Sequence, residues 1–211
     1  MSPVRAGEAL ESLREGNHRF VANARRWDRF LTHTRRLELA KGQDPIAIIL
    51  GCSDSRVPAE IVFDQGLGDL FVIRVAGNIV APSQVGSVEF AAERFGTRLV
   101  VVLGHSQCGA ITATIEELRR PGGNHSRNLA SIVDRVRPAV EGLMHTNLRS
   151  DPAALEREAV RANIRASASQ LRHGSAVLEQ LIEDDALRVV GAEYSLETGV
   201  VDFFDGVGEK G

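Results

Sequence analysis

The 211-residue sequence holds only two cysteines, Cys52 and Cys108. A secreted disulfide scaffold would be much shorter and far richer in cysteine, so cross-links are excluded as the source of stability. Roughly 200 residues are ample to bury a core without them. There is no CxxC pair, which argues against a thiol redox protein. Long apolar runs are also missing: Pro45 to Leu50 and Leu99 to Leu103 are far too short to cross a bilayer. The opening MSPVRAGEALESLREGN lacks the apolar core of a signal peptide, so a reducing cytoplasm is the expected compartment. Basic residues gather only in pairs such as Arg25-Arg26 and Arg35-Arg36, and the formal net charge is −3, which leaves no electrostatic footprint for nucleic acid. Neither a repeat, nor a low-complexity tract, nor an interdomain linker interrupts the chain. Residues 1–211 are therefore expected to form one domain, with a helical arm over 1–42, a core over 43–120 and further helix and strands over 121–211.

What is present reads as alternating elements. Ala6, Leu10, Leu13 and Phe20 recur at near-helical spacing, and Pro3 after Ser2 suits a first turn, so a helix is expected over roughly residues 3 to 23. A more polar helix is expected from Thr32 to Ala40, stopped at Lys41-Gly42. PIAIILG (45–51), DLFVIRV (69–75) and TRLVVVLG (97–104) are short continuous apolar runs, as strands covered on both faces require. Val85, Val88, Ala92 and Phe95, and later Ala110 to Arg119, have helical spacing. Strands alternating with helices predict an α/β fold, a central mostly parallel sheet flanked by helices and joined by right-handed crossovers. Asp151-Pro152 reads as the cap and first-turn proline of a helix carrying Leu155, Val160, Ile164, Ala168 and Leu171. Gly174-Ser175 interrupts it before a second stripe of Val177, Leu178, Leu181 and Ile182. Residues 186–204 carry two β-rich arms around Glu197-Thr198-Gly199, a hairpin that extends the sheet.

Residues able to do chemistry follow two of the predicted strands. The first strand leads into Gly51-Cys52-Ser53-Asp54-Ser55-Arg56 and the third into Gly104-His105-Ser106-Gln107-Cys108-Gly109. In an open parallel sheet ligands collect at the carboxyl ends of the strands, so these two loops can converge. Two thiolates and one imidazole suit zinc, and three protein donors leave a fourth position for water or substrate. The same two cysteines would serve equally well as small buried hydrophobes. Asp54 and Arg56, two apart in an extended loop, point the same way and can pair bidentately. That pair is either an ordinary salt bridge or a device that holds Asp54 aside; if Asp54 ligated a metal instead, the site would be closed.

CSDSR at 52–56 together with HSQCG at 105–109 resembles the β-class carbonic anhydrases of bacteria. The resemblance continues through REGNHRF, AEIVFDQGLGDLFVIRVAGN and GSVEFA, from Leu13 to about Arg119, and loosens beyond. It implies reversible hydration of carbon dioxide to bicarbonate and a proton, with one zinc per subunit held by Cys52, His105 and Cys108. It implies Asp54 with Arg56 as a catalytic dyad, with Asp54 as a fourth ligand in a closed state, and Gln43, Phe71, Ala76 and Gly109 as substrate-binding positions. It also implies N-terminal helices packed on a partner subunit in a homodimer or homotetramer. Some bacterial members share a non-catalytic bicarbonate site built from Trp, Arg and Tyr, which pulls the aspartate onto zinc. Ile49, Arg74 and Phe90 stand at those places here, so only the arginine is retained and an open site is expected near neutral pH.

His18, His33, His125, His145 and His173 are expected at the surface, and none stands out as a proton shuttle. Hydrolysis of carbon disulfide or carbonyl sulfide is the nearest rival activity, since the attacking hydroxide and the linear electrophile are much the same. A zinc-stabilised scaffold with Asp54 as permanent fourth ligand is the rival outside enzymes.

Overall fold

The computed structural model describes residues 3–26, 32–120, 122 and 126–208; Ser2 and His125 lie outside them. The chain runs α1 (Ala6–Val21), α2 (His33–Leu39), β1 (Ala47–Gly51), α3 (Ala59–Val62), β2 (Leu70–Arg74), α4 (Pro82–Phe95), β3 (Leu99–His105), α5 (Gly109–Arg119), α6 (Arg127–Val140), α7 (Pro152–His173), α8 (Ala176–Glu183), β4 (Arg188–Tyr194) and β5 (Val201–Asp205). The five strands form one sheet in the order β2-β1-β3-β4-β5. The first four are parallel and β5 returns antiparallel to β4.

In β1 and β3 the continuous apolar runs are explained by cover on both faces, whereas β2, expected to be covered likewise, is half-buried because it lies at the sheet edge. Ile48, Leu50, Val100, Val102 and Val189 face a core completed by α4 to α8, whereas Ala47, Ile49, Leu99, Val101 and Val190 face a second core completed by α1 and α3. Alternate residues of one strand thus enter different cores. Each fully buried Val, Leu or Ile contributes roughly 1.5–3 kcal/mol. β1 connects outward to β2, and the chain then crosses back to place β3 on the other side of β1. The connections therefore diverge between β1 and β3, and that is where such a sheet leaves a crevice at its carboxyl edge.

Several expected boundaries shift. α1 starts at Ala6 because Glu8 reaches back to the Arg5 backbone N–H and closes the first turn, so Pro3 lies ahead of the helix. Thr32 accepts from the Arg35 N–H and starts α2, which has no buried residue and leaves Leu37 exposed. Asp151 caps α7 and Ser175 caps α8, as expected from Asp151-Pro152 and the break at Gly174-Ser175. The hairpin is present, its turn passing through Gly199 at φ +76°, and Asn17 of α1 ties it down by hydrogen bonds to the Gly199 carbonyl and the Val201 N–H. α6 has no counterpart among the expected helices. It is capped by Ser126 and buries Val133, Val136 and Val140, with Pro138 inside its last turn. Among the described residues no helix is long and apolar enough to cross a membrane.

Candidate metal centre

β1 and β3 are paired neighbours with Gly51 opposite Leu103, so Cys52 leaves the first strand beside the end of the other. His105 is the last residue of β3, and Cys108 is the N-cap of α5 after a turn in which Gln107 takes φ +56°. The ligating atoms of Cys52, His105 and Cys108 lie within 4.8 Å of one another, and all three residues are buried. The two sulfurs are 4.0 Å apart. With Zn–S near 2.3 Å, two thiolates in a tetrahedral shell stand about 3.8 Å apart, so the spacing fits that ion.

His105 supplies the more telling observation. Its Nδ1 lies 2.8 Å from the Ser106 carbonyl, to which the N–H donates, while its buried Nε2 has no hydrogen-bond partner. A buried ring nitrogen left unpaired costs about 1–3 kcal/mol. A metal bound at that lone pair would remove the cost, and the Ser106 bond fixes the tautomer this requires.

The charges around the donors are uneven. Cys52 is lowered from the ordinary thiol range, chiefly by a hydrogen bond from the Cys108 thiol and with help from His105 and the Gly77 and Asp54 N–H groups, against burial. Cys108 is raised because it holds the proton shared with Cys52 and because it is buried. Burial disfavours charge on His105, but the Cys52 sulfur and the Ser106 carbonyl outweigh it, so its pKa is raised. The pair of sulfurs thus gives up one proton readily and keeps the other. A metal held between the two sulfurs would have to displace the second proton, so its binding should tighten as pH rises. Calorimetry in buffers of different ionisation enthalpy should show net proton release on zinc binding; binding with no proton release would contradict the shared-proton arrangement.

Asp54 and Arg56 form the pairing their spacing suggests. Arg56 Nε donates to Oδ1 at 2.9 Å and Nη2 to Oδ2 at 2.7 Å, while the Arg56 backbone N–H also reaches Oδ1. These bonds hold the carboxyl well below the usual carboxylate range despite partial burial. Asp54 Oδ2 stands 3.8 Å from His105 Nε2, so the carboxylate borders the donors while turned toward the guanidinium. Arg56 Nη2 also approaches the Gln107 carbonyl at 3.4 Å, which links the two loops.

A carbonic anhydrase family model matches residues 47–201. Carbonic anhydrase 2 of Mycobacterium tuberculosis is 38% identical over 206 residues, spanning 96% of this chain and 95% of its own. The carbonic anhydrase of Mycolicibacterium smegmatis is 37% identical over 210 residues with the same coverage of each chain. The solved β-carbonic anhydrase CcaA superposes with a TM-score of 0.72 at 26% identity, covering 96% of this chain and 91% of that one. The chain belongs to the β-class carbonic anhydrases. The α/β sheet and the Cys-His-Cys group thus sit in a carbonic anhydrase whose sequence matches these relatives along nearly its whole length.

Not every residue that the resemblance singles out meets the Cys-His-Cys group in this carbonic anhydrase chain. Ala76 and Gly109 do lie beside them: Ala76 precedes Gly77, whose N–H faces Cys52, and Gly109 opens α5 with its Cα unobstructed. Gln43 does not, because it precedes β1 and so stands exposed at the opposite end of the strand from Cys52. Phe71 does not either. It lies three residues before Arg74, the partner of Gly51, hence about 10 Å down the sheet. There it packs against Phe90 and Phe95 of α4.

The three positions of the non-catalytic bicarbonate site are all otherwise engaged or turned away. Ile49 is fully buried in the α1-facing core, and Phe90 is 53% exposed on α4. Arg74 donates through Nε to the Cys52 carbonyl at 3.0 Å and through Nη2 to the Asp54 carbonyl at 2.5 Å. Spacing alone could not reveal this clamp, since it joins the end of β2 to a loop about twenty residues earlier through backbone acceptors. His18, His33, His145 and His173 are exposed, as expected.

Proposed function

We propose that this carbonic anhydrase hydrates carbon dioxide reversibly with one zinc held by Cys52, His105 and Cys108, and with Asp54 and Arg56 as its catalytic dyad. The unpaired, buried Nε2 of His105 between two thiols is the observation that carries the reading. Zinc, when bound, supplies hydroxide near neutral pH by lowering the pKa of a coordinated water. Asp54, held by the Arg56 fork, offers Oδ2 beside the donors to accept a hydrogen bond from the attacking hydroxide, which aims the oxygen lone pair at the carbon of CO₂. The same fork keeps Asp54 from becoming a fourth ligand, so the site is read as open near neutral pH. The Gly109 N–H, at the start of α5, favours the developing bicarbonate charge. Ala76 is assigned to apolar lining, and Phe71, about 10 Å down the sheet within its own chain, can join it only from a second copy.

Gln43 can meet a product oxygen only if a second copy brings it there. Two features support a homodimer or homotetramer. α2 buries nothing within its own chain, and the sheet edge at β2 carries half-buried Phe71, Val72 and Ile73 next to exposed Phe90. A bond between Cys52 and Cys108 would consume two donors, so the reading places the protein in a reducing compartment such as the cytoplasm.

Two thiolates at Cys52 and Cys108 would offset the charge of a zinc held there, so the chemistry it supplies would set in at higher pH than at the all-imidazole carbonic anhydrase site, where the value is about 7. Turnover is therefore expected to rise between about pH 6.5 and 9. Stopped-flow hydration by the zinc-loaded protein across that range tests this, and a flat profile would contradict the charge argument.

A further inference from the structure

α7 is a 22-residue helix whose core-facing side is apolar except at two places, Asn163 and Ser167. Asn163 is 2% exposed, and a buried amide is tolerated only when it is hydrogen-bonded. Its Nδ2 donates to the Gly77 carbonyl at 2.8 Å, spanning 86 residues of sequence. Gly77 in turn donates its N–H to the Cys52 sulfur at 3.4 Å. A left-handed backbone at φ +72° lets one residue direct its N–H at the sulfur and its carbonyl at α7. An added Cβ at Gly77 would meet Ala110 at 3.0 Å, so no side chain fills that space.

An N–H bonded to a thiolate withdraws electron density from it, and such outer partners orient a ligand and tune the metal it holds. We propose that Asn163 is a positioning residue for the metal centre: it pins Gly77 so that the Gly77 N–H stays on the Cys52 sulfur, and so sets how much charge Cys52 donates to the ion. This rests on Cys52, His105 and Cys108 being the metal ligands. Asn163 touches neither metal nor substrate and acts through one peptide group. α7 thereby becomes part of the site, although it contributes no ligand and lies more than forty residues beyond Cys108.

Cobalt substitution provides a readout other than activity, because the thiolate-to-cobalt charge-transfer band reports the electron richness of the sulfurs. Wild type, Asn163→Leu and Asn163→Ala are loaded with Co²⁺, and their zinc affinities are measured by chelator competition. Asn163→Ala is the second variant because alanine favours helix, should leucine overpack the site. Ser167→Ala is the control, removing a buried hydroxyl one turn further along the same face. Both Asn163 variants are expected to move the band to lower energy and to bind zinc about 10–100-fold more weakly. The control should do neither. A folded Asn163 variant with the wild-type band and affinity overturns the proposal, as does an equal change in Ser167→Ala. If wild type shows no thiolate-to-cobalt band, the ligand assignment fails, and this inference with it.

Discussion

Cys108→Ser is expected to fold, to bind no zinc and to hydrate no carbon dioxide. The substitution isolates the metal because of where Cys108 sits. It is the N-cap of α5, a position at which serine is among the preferred residues, so the helix start should be unharmed or slightly strengthened. Serine is also slightly smaller than cysteine, so the buried position can accept it without overpacking. The sulfur, however, is one of the three proposed donors, and its loss leaves only Cys52 and His105. Removing a ligand should cost more than the roughly 10–100-fold lost when an outer hydrogen bond is removed. Melting of the metal-free variant should stay close to that of metal-free wild type. Zinc should raise the melting temperature of wild type alone, since a ligand that binds only the folded state stabilises it. A Cys108→Ser protein that keeps stoichiometric zinc would contradict the donor set.

Asp54→Asn should do the opposite, keeping zinc while losing about 10²-fold or more in turnover. The ligands are untouched, and the Asp54–Arg56 pair is too exposed on the arginine side to matter much for folding, at about 0–1 kcal/mol. The depressed pKa means that this small contribution is complete above the unfolded aspartate value of about 4 and fades as pH falls below it. At neutral pH the variant therefore changes a charge and an acceptor, not a protonation equilibrium. Asparagine keeps one acceptor oxygen but turns an N–H₂ either toward the guanidinium or toward the attacking hydroxide, and either orientation spoils the aim. Zinc content by metal analysis and hydration by stopped flow separate the two variants, and full turnover in Asp54→Asn would remove the dyad from the mechanism.

The legible parts of the molecule are those where one physical constraint dominates. β1 and β3 read as continuous apolar runs because helices cover both faces, whereas the same pattern in β2 belongs to a half-buried edge strand; the two motif loops follow β1 and β3, whose pairing in the 2-1-3-4-5 order brings them together. Asp151-Pro152, Gly174-Ser175 and Thr198-Gly199 mark boundaries through local backbone chemistry, and the structure follows them. What the spacing could not show depends on distant partners. α6 carries a proline that local rules treat as a helix breaker, yet Val133, Val136 and Val140 hold it against the core. Arg74 looked like the remnant of an anion pocket, and its hydrogen bonds instead brace the Cys52 and Asp54 carbonyls. Asn163 is invisible in sequence, as a single polar residue on an apolar helix face says nothing of the glycine it reaches. Gln43, implied as substrate-binding by the resemblance, stands within one chain at the opposite end of β1 from Cys52, so its part at the site depends on a second copy that one chain's sequence does not display.

The most direct test is to strip the wild-type protein of metal with a chelator and add zinc back in fractions of one equivalent, following carbon dioxide hydration by stopped flow. Hydration should be absent at the start, climb in proportion to zinc, and level off at one zinc per chain. Full hydration by the stripped protein, or one tightly held zinc per chain with no hydration at any pH from neutral to alkaline, would contradict a zinc-dependent hydratase at Cys52, His105 and Cys108.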